Sequence, residues 1–169
     1  MTSRVFLWTG VTILFLSLFE ASVLSNLHVL PVLPDLVLLV IVYVSFTNGS
    51  FTGSSTGFVA GFMVDFLSAA PVGLNSFIRS ITGYLFGKCA GAFNPDRVLI
   101  PALMGCAATV LKVIQISLLF FFFGDQILNY QLSEHLFWLE LALNTLAAPV
   151  VFWLMGQFPN LYNDRPRNA

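Results

Sequence analysis

Charge is what this sequence has least of. Only 9% of its 169 residues are Asp, Glu, Lys or Arg, where a soluble domain carries about a quarter. So few ionic side chains cannot cover a water-facing surface, which excludes an ordinary soluble domain. The net charge of −1 excludes the basic footprint that nucleic acid requires. Cysteine is equally scarce. Cys89 and Cys106 stand isolated in apolar segments and read as small buried hydrophobes rather than a disulfide or redox pair. His28 and His135 lack the spacing of metal ligands, with or without Glu20 or Glu134. The stretch from Gly49 to Gly57 lacks the lysine of a phosphate-cradling loop. Ser55 has no base in reach, because both histidines fall on the other side of the membrane in the topology below. The expectation is therefore no enzyme, no metal and no cofactor.

What fills the chain instead is apolar: 57% of residues are hydrophobic. A spanning helix needs about 20 mostly apolar residues. Six segments qualify: about Val5 to Leu24, Asp35 to Phe46 (short), Phe51 to Ala69, Gly73 to Phe93, Val98 to Phe123, and His135 to Phe158. The first resembles a signal sequence at its start, but its length predicts a retained helix. Pro31 and Pro34, Asn48-Gly49, Pro71-Val72-Gly73, Asn94-Pro95-Asp96 and the polar stretch 124–134 mark the breaks. The expected fold class is an all-α membrane protein, a single six-helix domain over residues 1–169. Arg4, Lys88, Arg97, Arg165 and Arg167 fall on one side of such a bundle, and loops 25–34, 70–72 and 124–134 have neither Lys nor Arg. That bias predicts both termini in the cytoplasm.

Two glycine columns stand out. Gly53, Gly57 and Gly61 recur at spacing four and lead to Asp65; Arg79 leads at the same spacing to Gly83, Gly87 and Gly91. In lipid, small residues let helix backbones approach and pack closely. An antiparallel hairpin turning at Pro71-Val72-Gly73 would set Gly53 on Gly91, Gly57 on Gly87, Gly61 on Gly83 and Asp65 on Arg79. One register satisfies all four, and an Asp65–Arg79 ion pair would relieve the cost of two charges in hydrocarbon.

Other polar residues fall within the spans. Glu20 and Glu140 lie near the outer ends of helices one and six and suit snorkelling. Lys112 lies deep in helix five, where a carboxylate or carbonyl partner is expected. Asn144 is placed to join helices, and Pro149 is expected to kink helix six. Trp8, Trp138, Trp153 and Tyr162 sit near span ends, as an interfacial belt would place them.

Several of these features together resemble the rod shape-determining protein MreD family. They are Pro34-Asp35-Leu36 at the start of helix two, Gly57-Phe58 with Gly61 and Asp65, the Pro71-Val72-Gly73 turn, and Gly83-Tyr84, with a weaker echo in Asn144 and Pro149. The similarity is densest over residues 30–95. Gly87 and Gly91 look particular to this chain, and its tail from Asn160 to Ala169 is short and weakly basic. The resemblance implies a non-enzymatic inner-membrane scaffold of the bacterial elongation complex. It also implies binding to MreC, a single-span coiled-coil protein, and through it links to RodA, penicillin-binding protein 2 and MreB filaments. The family is similar in fold to the substrate-binding subunits of energy-coupling-factor vitamin transporters. That similarity leaves open a second reading, a small-molecule uptake subunit with a pocket lined by Glu20, Asp65, Arg79 and Glu140. A channel or proton relay through Lys112 is a third.

Overall fold

Hydrocarbon offers no partner to a backbone N–H or C=O, so a chain that enters it must satisfy those groups internally. A computed structural model describes residues 3–26, 32–68, 71–92, 98–124 and 135–162. Among them the regular structure is entirely helical. The helices are α1 (Ser3–Asn26), α2 (Leu36–Asn48), α3 (Ser50–Leu67), α4 (Leu74–Lys88), α5 (Leu99–Phe123), α6 (His135–Gly156) and the short α7 (Pro159–Tyr162). Of these, α5 and α6 are each long and apolar enough to cross a membrane, and Val5–Glu20 and Leu36–Asn48 are shorter apolar stretches. Arg97, Arg165, Arg167, His28, Glu134, Pro31 and the stretch 125–134 lie outside the described residues.

The second helix organises the others. Its sequence LVLLVIVYVSF has no polar face, and a helix apolar all round belongs inside a protein. Every residue from Val37 to Phe46 is buried. Helix α2 packs on α1, α3, α4, α5 and α6. Around it the neighbours run in order: α1 on α3, α3 on α4, α4 on α5, α5 on α6. Among the described residues the α6–α1 edge has no comparable packing, and α7 touches both helices there. With 13 residues, α2 is about 20 Å long and falls short of the roughly 30 Å hydrocarbon layer. At least one of its ends must stop inside the protein.

The tightest contact is α3 on α4. A side chain at Gly53 would strike Ser45 and the Gly83 carbonyl, one at Gly57 the Arg79 carbonyl, one at Gly61 the Asn75–Ser76 backbone, and one at Gly87 the Gly49–Ser50 backbone. The hairpin therefore exists, but its register differs from the one the glycine spacing suggested. Gly53 faces Gly83 rather than Gly91, a shift of about two turns. Helix α4 ends at Lys88, not Phe93, and Gly91 lies beyond it in turns with φ +80°, outside the interface. The shift also removes Asp65 from Arg79. Two smaller expectations are corrected too. Cys89 is exposed at the end of α4 and Cys106 is only partly buried, both as free thiols. Tyr162 is buried rather than interfacial, with its hydroxyl 2.7 Å from Thr12 Oγ1 and its carbonyl accepting from Asn48 Nδ2.

Backbone contact at these glycines leaves no room for a methyl group. Gly57→Ala and Gly61→Ala should each lose about 1–3 kcal/mol to overpacking and lower the melting temperature of the protein in detergent. Gly10→Ala and Gly156→Ala, where an added Cβ meets nothing within 4 Å, should leave melting unchanged or slightly raised.

Candidate functional site

A helix that starts inside a membrane protein presents free N–H groups and the positive end of its dipole to a medium without water. The start of α2 meets that demand with side chains from three elements. Asp35 caps the helix itself, its Oδ1 accepting from Leu38 N at 2.9 Å. Leu36 N donates to Glu20 Oε1 of α1 at 2.6 Å. Asp35 N donates to Asn144 Oδ1 of α6 at 2.8 Å. Pro34, with no N–H of its own, leads into the cap, and its carbonyl accepts from Leu36 N at 3.1 Å.

Asp35 also carries the ionic contacts. Arg79 Nη2 of α4 donates to both of its oxygens, at 3.0 and 3.1 Å. Lys112 Nζ of α5 donates to Asp35 Oδ2 at 2.9 Å and to Glu140 Oε1 of α6 at 2.7 Å. Arg79 Nη1 is held in turn by Asn75 Oδ1, one turn earlier on α4, at 2.7 Å. The side chains of Asp35, Arg79 and Glu140 are only 9%, 6% and 2% exposed, so these pairs act with little screening. Glu20, Asp35, Arg79, Lys112, Glu140 and Asn144 thus form one cluster drawn from α1, α2, α4, α5 and α6. Three of its members are carboxylates and two are cations.

Helices α5 and α6 meet the cluster along a single antiparallel register. Gly105 lies against Ala148, Asn144 Nδ2 donates to Thr109 Oγ1 at 2.9 Å, and Lys112 pairs with Glu140. Pro149, beside Ala148, lies inside α6 and leaves the Thr145 carbonyl without its helical donor.

Asp65 belongs to a different site. Its carboxylate lies over the start of α4, accepting from Gly73 N (2.9 Å), Asn75 N (2.9 Å), Ser76 N (3.2 Å) and Ser76 Oγ (2.8 Å). Free N–H groups and a helix dipole at that turn attract an anion as well as Arg79 would. This is the physical reason for the corrected register: Asp65 serves the α4 N-terminus, and Arg79, one turn further in, reaches Asp35. Of the four residues expected to line an outward pocket, Glu20, Arg79 and Glu140 come together and Asp65 does not. Glu140 is no snorkelling residue either, being buried against Lys112. The residues that sequence reasoning missed are Asn75, Ser76, Gly105 and Thr109. Gly105, Thr109 and Lys112 follow one another at helical spacing on α5, as Glu140, Asn144 and Ala148 do on α6. That spacing was the available signal.

Two polar atoms in the cluster, Arg79 Nε and Glu140 Oε2, are buried with no hydrogen-bond partner among the described residues. Among the described residues no three of His, Cys, Asp and Glu are grouped to hold a metal ion. The engaged oxygens of the cluster's carboxylates are occupied by cations and backbone donors. What the arrangement does is hold five helices to one another.

An all-helical protein with an ionic cluster at the head of its central helix and an apolar exterior belongs to the membrane proteins. The family model described as rod shape-determining protein MreD matches residues 2–158. The chain belongs to that family and is a membrane component of the rod shape-determining system. No curated protein and no solved structure matches it.

Removing one member of a buried ion pair strands the other, at about 3–5 kcal/mol. Asp35→Ala should therefore destabilise the bundle more than any other single carboxylate change, read as the loss of monodisperse protein in mild detergent and a fall in melting temperature. Asp65→Ala should cost less, about 1–3 kcal/mol for orphaned helix-start donors. Arg79→Lys should fail to keep full stability, since one compact ammonium cannot replace the planar fork that reaches Asp35 through Nη2 and Asn75 through Nη1.

Proposed function

We propose that the chain is a six-span, non-enzymatic scaffold of the bacterial inner membrane, with both termini cytoplasmic. In this reading it binds MreC and so helps couple MreB filaments to peptidoglycan synthesis by RodA and penicillin-binding protein 2. Family membership supports the system. The cluster around Asp35 supports the scaffold role: its contacts are internal and serve to fix helices, leaving the outer surface for partner contact. That surface is broad and apolar. Phe58, Phe62 and Phe66 form a ladder of exposed rings along α3, and Phe121 to Phe123 close α5 with three more. Lys88, exposed in the last turn of α4 and lying over the Tyr84 ring, suits the cytoplasmic side.

The test is purification of the tagged protein from its own membrane in mild detergent, with mass spectrometry of what accompanies it. The expected result is MreC in stoichiometric amount, with RodA and penicillin-binding protein 2 behind it. A pair of ATPases or a tightly held vitamin-sized molecule, without MreC, would overturn the scaffold reading in favour of an uptake subunit.

A further inference from the structure

Among the described residues, the ring of helices around α2 is open along one edge. Between α1 and α6 lies a groove of about 490 Å³. Its α1 wall carries Thr12 and Leu16, its floor Leu36 and Val40 of α2, and its α6 wall Val150 and Leu154. Each pair is spaced four apart, so every side of the groove is a helical row, the shape that accepts the ridge of another helix. At one end α7 closes the groove, with Tyr162 bonded to Thr12. At the other, the α1 row continues one turn past Leu16 to Glu20, whose carboxylate meets the backbone of Leu36 in the floor.

Glu20 supplies the charge argument. Three carboxylates face two cations in the cluster, and the ion pairs take up Asp35 and Glu140. Glu20 makes no ion pair among the described residues and is only partly buried. A carboxylate in excess within a membrane favours a donor or a cation beside it. A lipid tail filling the groove would bring neither.

We propose that this seam receives one apolar membrane-spanning helix of a partner, seated so that a basic or amide side chain lies level with Glu20. The proposal rests on the scaffold reading, in which the partner is the single span of MreC. The bound helix completes the ring and offsets the third carboxylate.

The test is cysteine cross-linking in membranes that contain both full-length proteins. Cys89 and Cys106 are replaced by serine, and single cysteines are placed at Leu16, at Val150 and, as a control on the α3 face, at Phe62. Each is paired with cysteines scanned along the MreC span. The expected result is disulfide formation from Leu16 and Val150 at helical intervals, with none from Phe62. In parallel, Ala147→Trp, which fills the groove, should lower co-purified MreC at least tenfold at unchanged yield and melting temperature, and Glu20→Gln should lower it less. A complex that forms with cross-links from Phe62 and none from the seam overturns the seam while leaving the scaffold reading intact. Failure of any complex to form overturns both. A lipid held in the groove and displaced by Ala147→Trp, with MreC still bound, also overturns the seam.

Discussion

One carboxylate with two cations on it, at the mouth of a buried helix, sets the rest of this structure. Asp35 accepts from Arg79 and Lys112 while it caps α2. None of these charges could stand alone at that depth: a single unpaired ion in a bilayer centre costs about 2.5–3.5 kcal/mol even on the lenient insertion scales. Each is tolerable only when the others are present. The start of α2, the inward face of α4 and the facing rows of α5 and α6 are thereby fixed to one another, and Glu20 adds α1 through the backbone of Leu36.

The short central helix follows from the same arrangement. A 13-residue helix does not reach across a membrane, and its exposed start would be untenable in lipid. Surrounded by Glu20, Asn144 and its own Asp35, it becomes a place where helices converge. The α3–α4 hairpin repeats the device on a smaller scale. Asp65 satisfies three backbone donors and the Ser76 hydroxyl at the start of α4, and the glycines below it let the two backbones close. In both places a carboxylate is placed where a helix begins, and the positive end of a helix offsets it.

Much of the helical layout was legible in the sequence, because apolar runs and Pro/Gly breaks are one-dimensional signals. Both glycine strips are in contact, up to Gly87. The partners of the charges were harder to read. Spacing alone matches Asp65 to Arg79, since each is a charge in need of a partner. The free N–H groups at Gly73, Asn75 and Ser76 are as good a counterpart for Asp65 and closer in the chain. Asp35 read as a residue that opens helix two, and it caps α2. Nothing local to it announces that Arg79 and Lys112, from distant elements, converge there. Lys112 was expected to find a carboxylate or a carbonyl; it finds two carboxylates. Gly91 misled because a glycine at helical spacing and a glycine in the turns past a helix end look alike until the backbone turns to positive φ.

The claim that matters most is that Arg79 belongs to Asp35. A double-mutant cycle in detergent melting tests it directly: Asp35→Asn, Arg79→Gln and the pair, beside Asp65→Asn, Arg79→Gln and that pair. The account predicts that the Asp35 and Arg79 changes are strongly non-additive, with a coupling of about 0.5–3 kcal/mol as for residues in contact, while the coupling of Asp65 to Arg79, which meet only through Asn75, is clearly the smaller of the two. Strong coupling of Arg79 to Asp65 and none to Asp35 would contradict it and return the hairpin to an ion pair of its own.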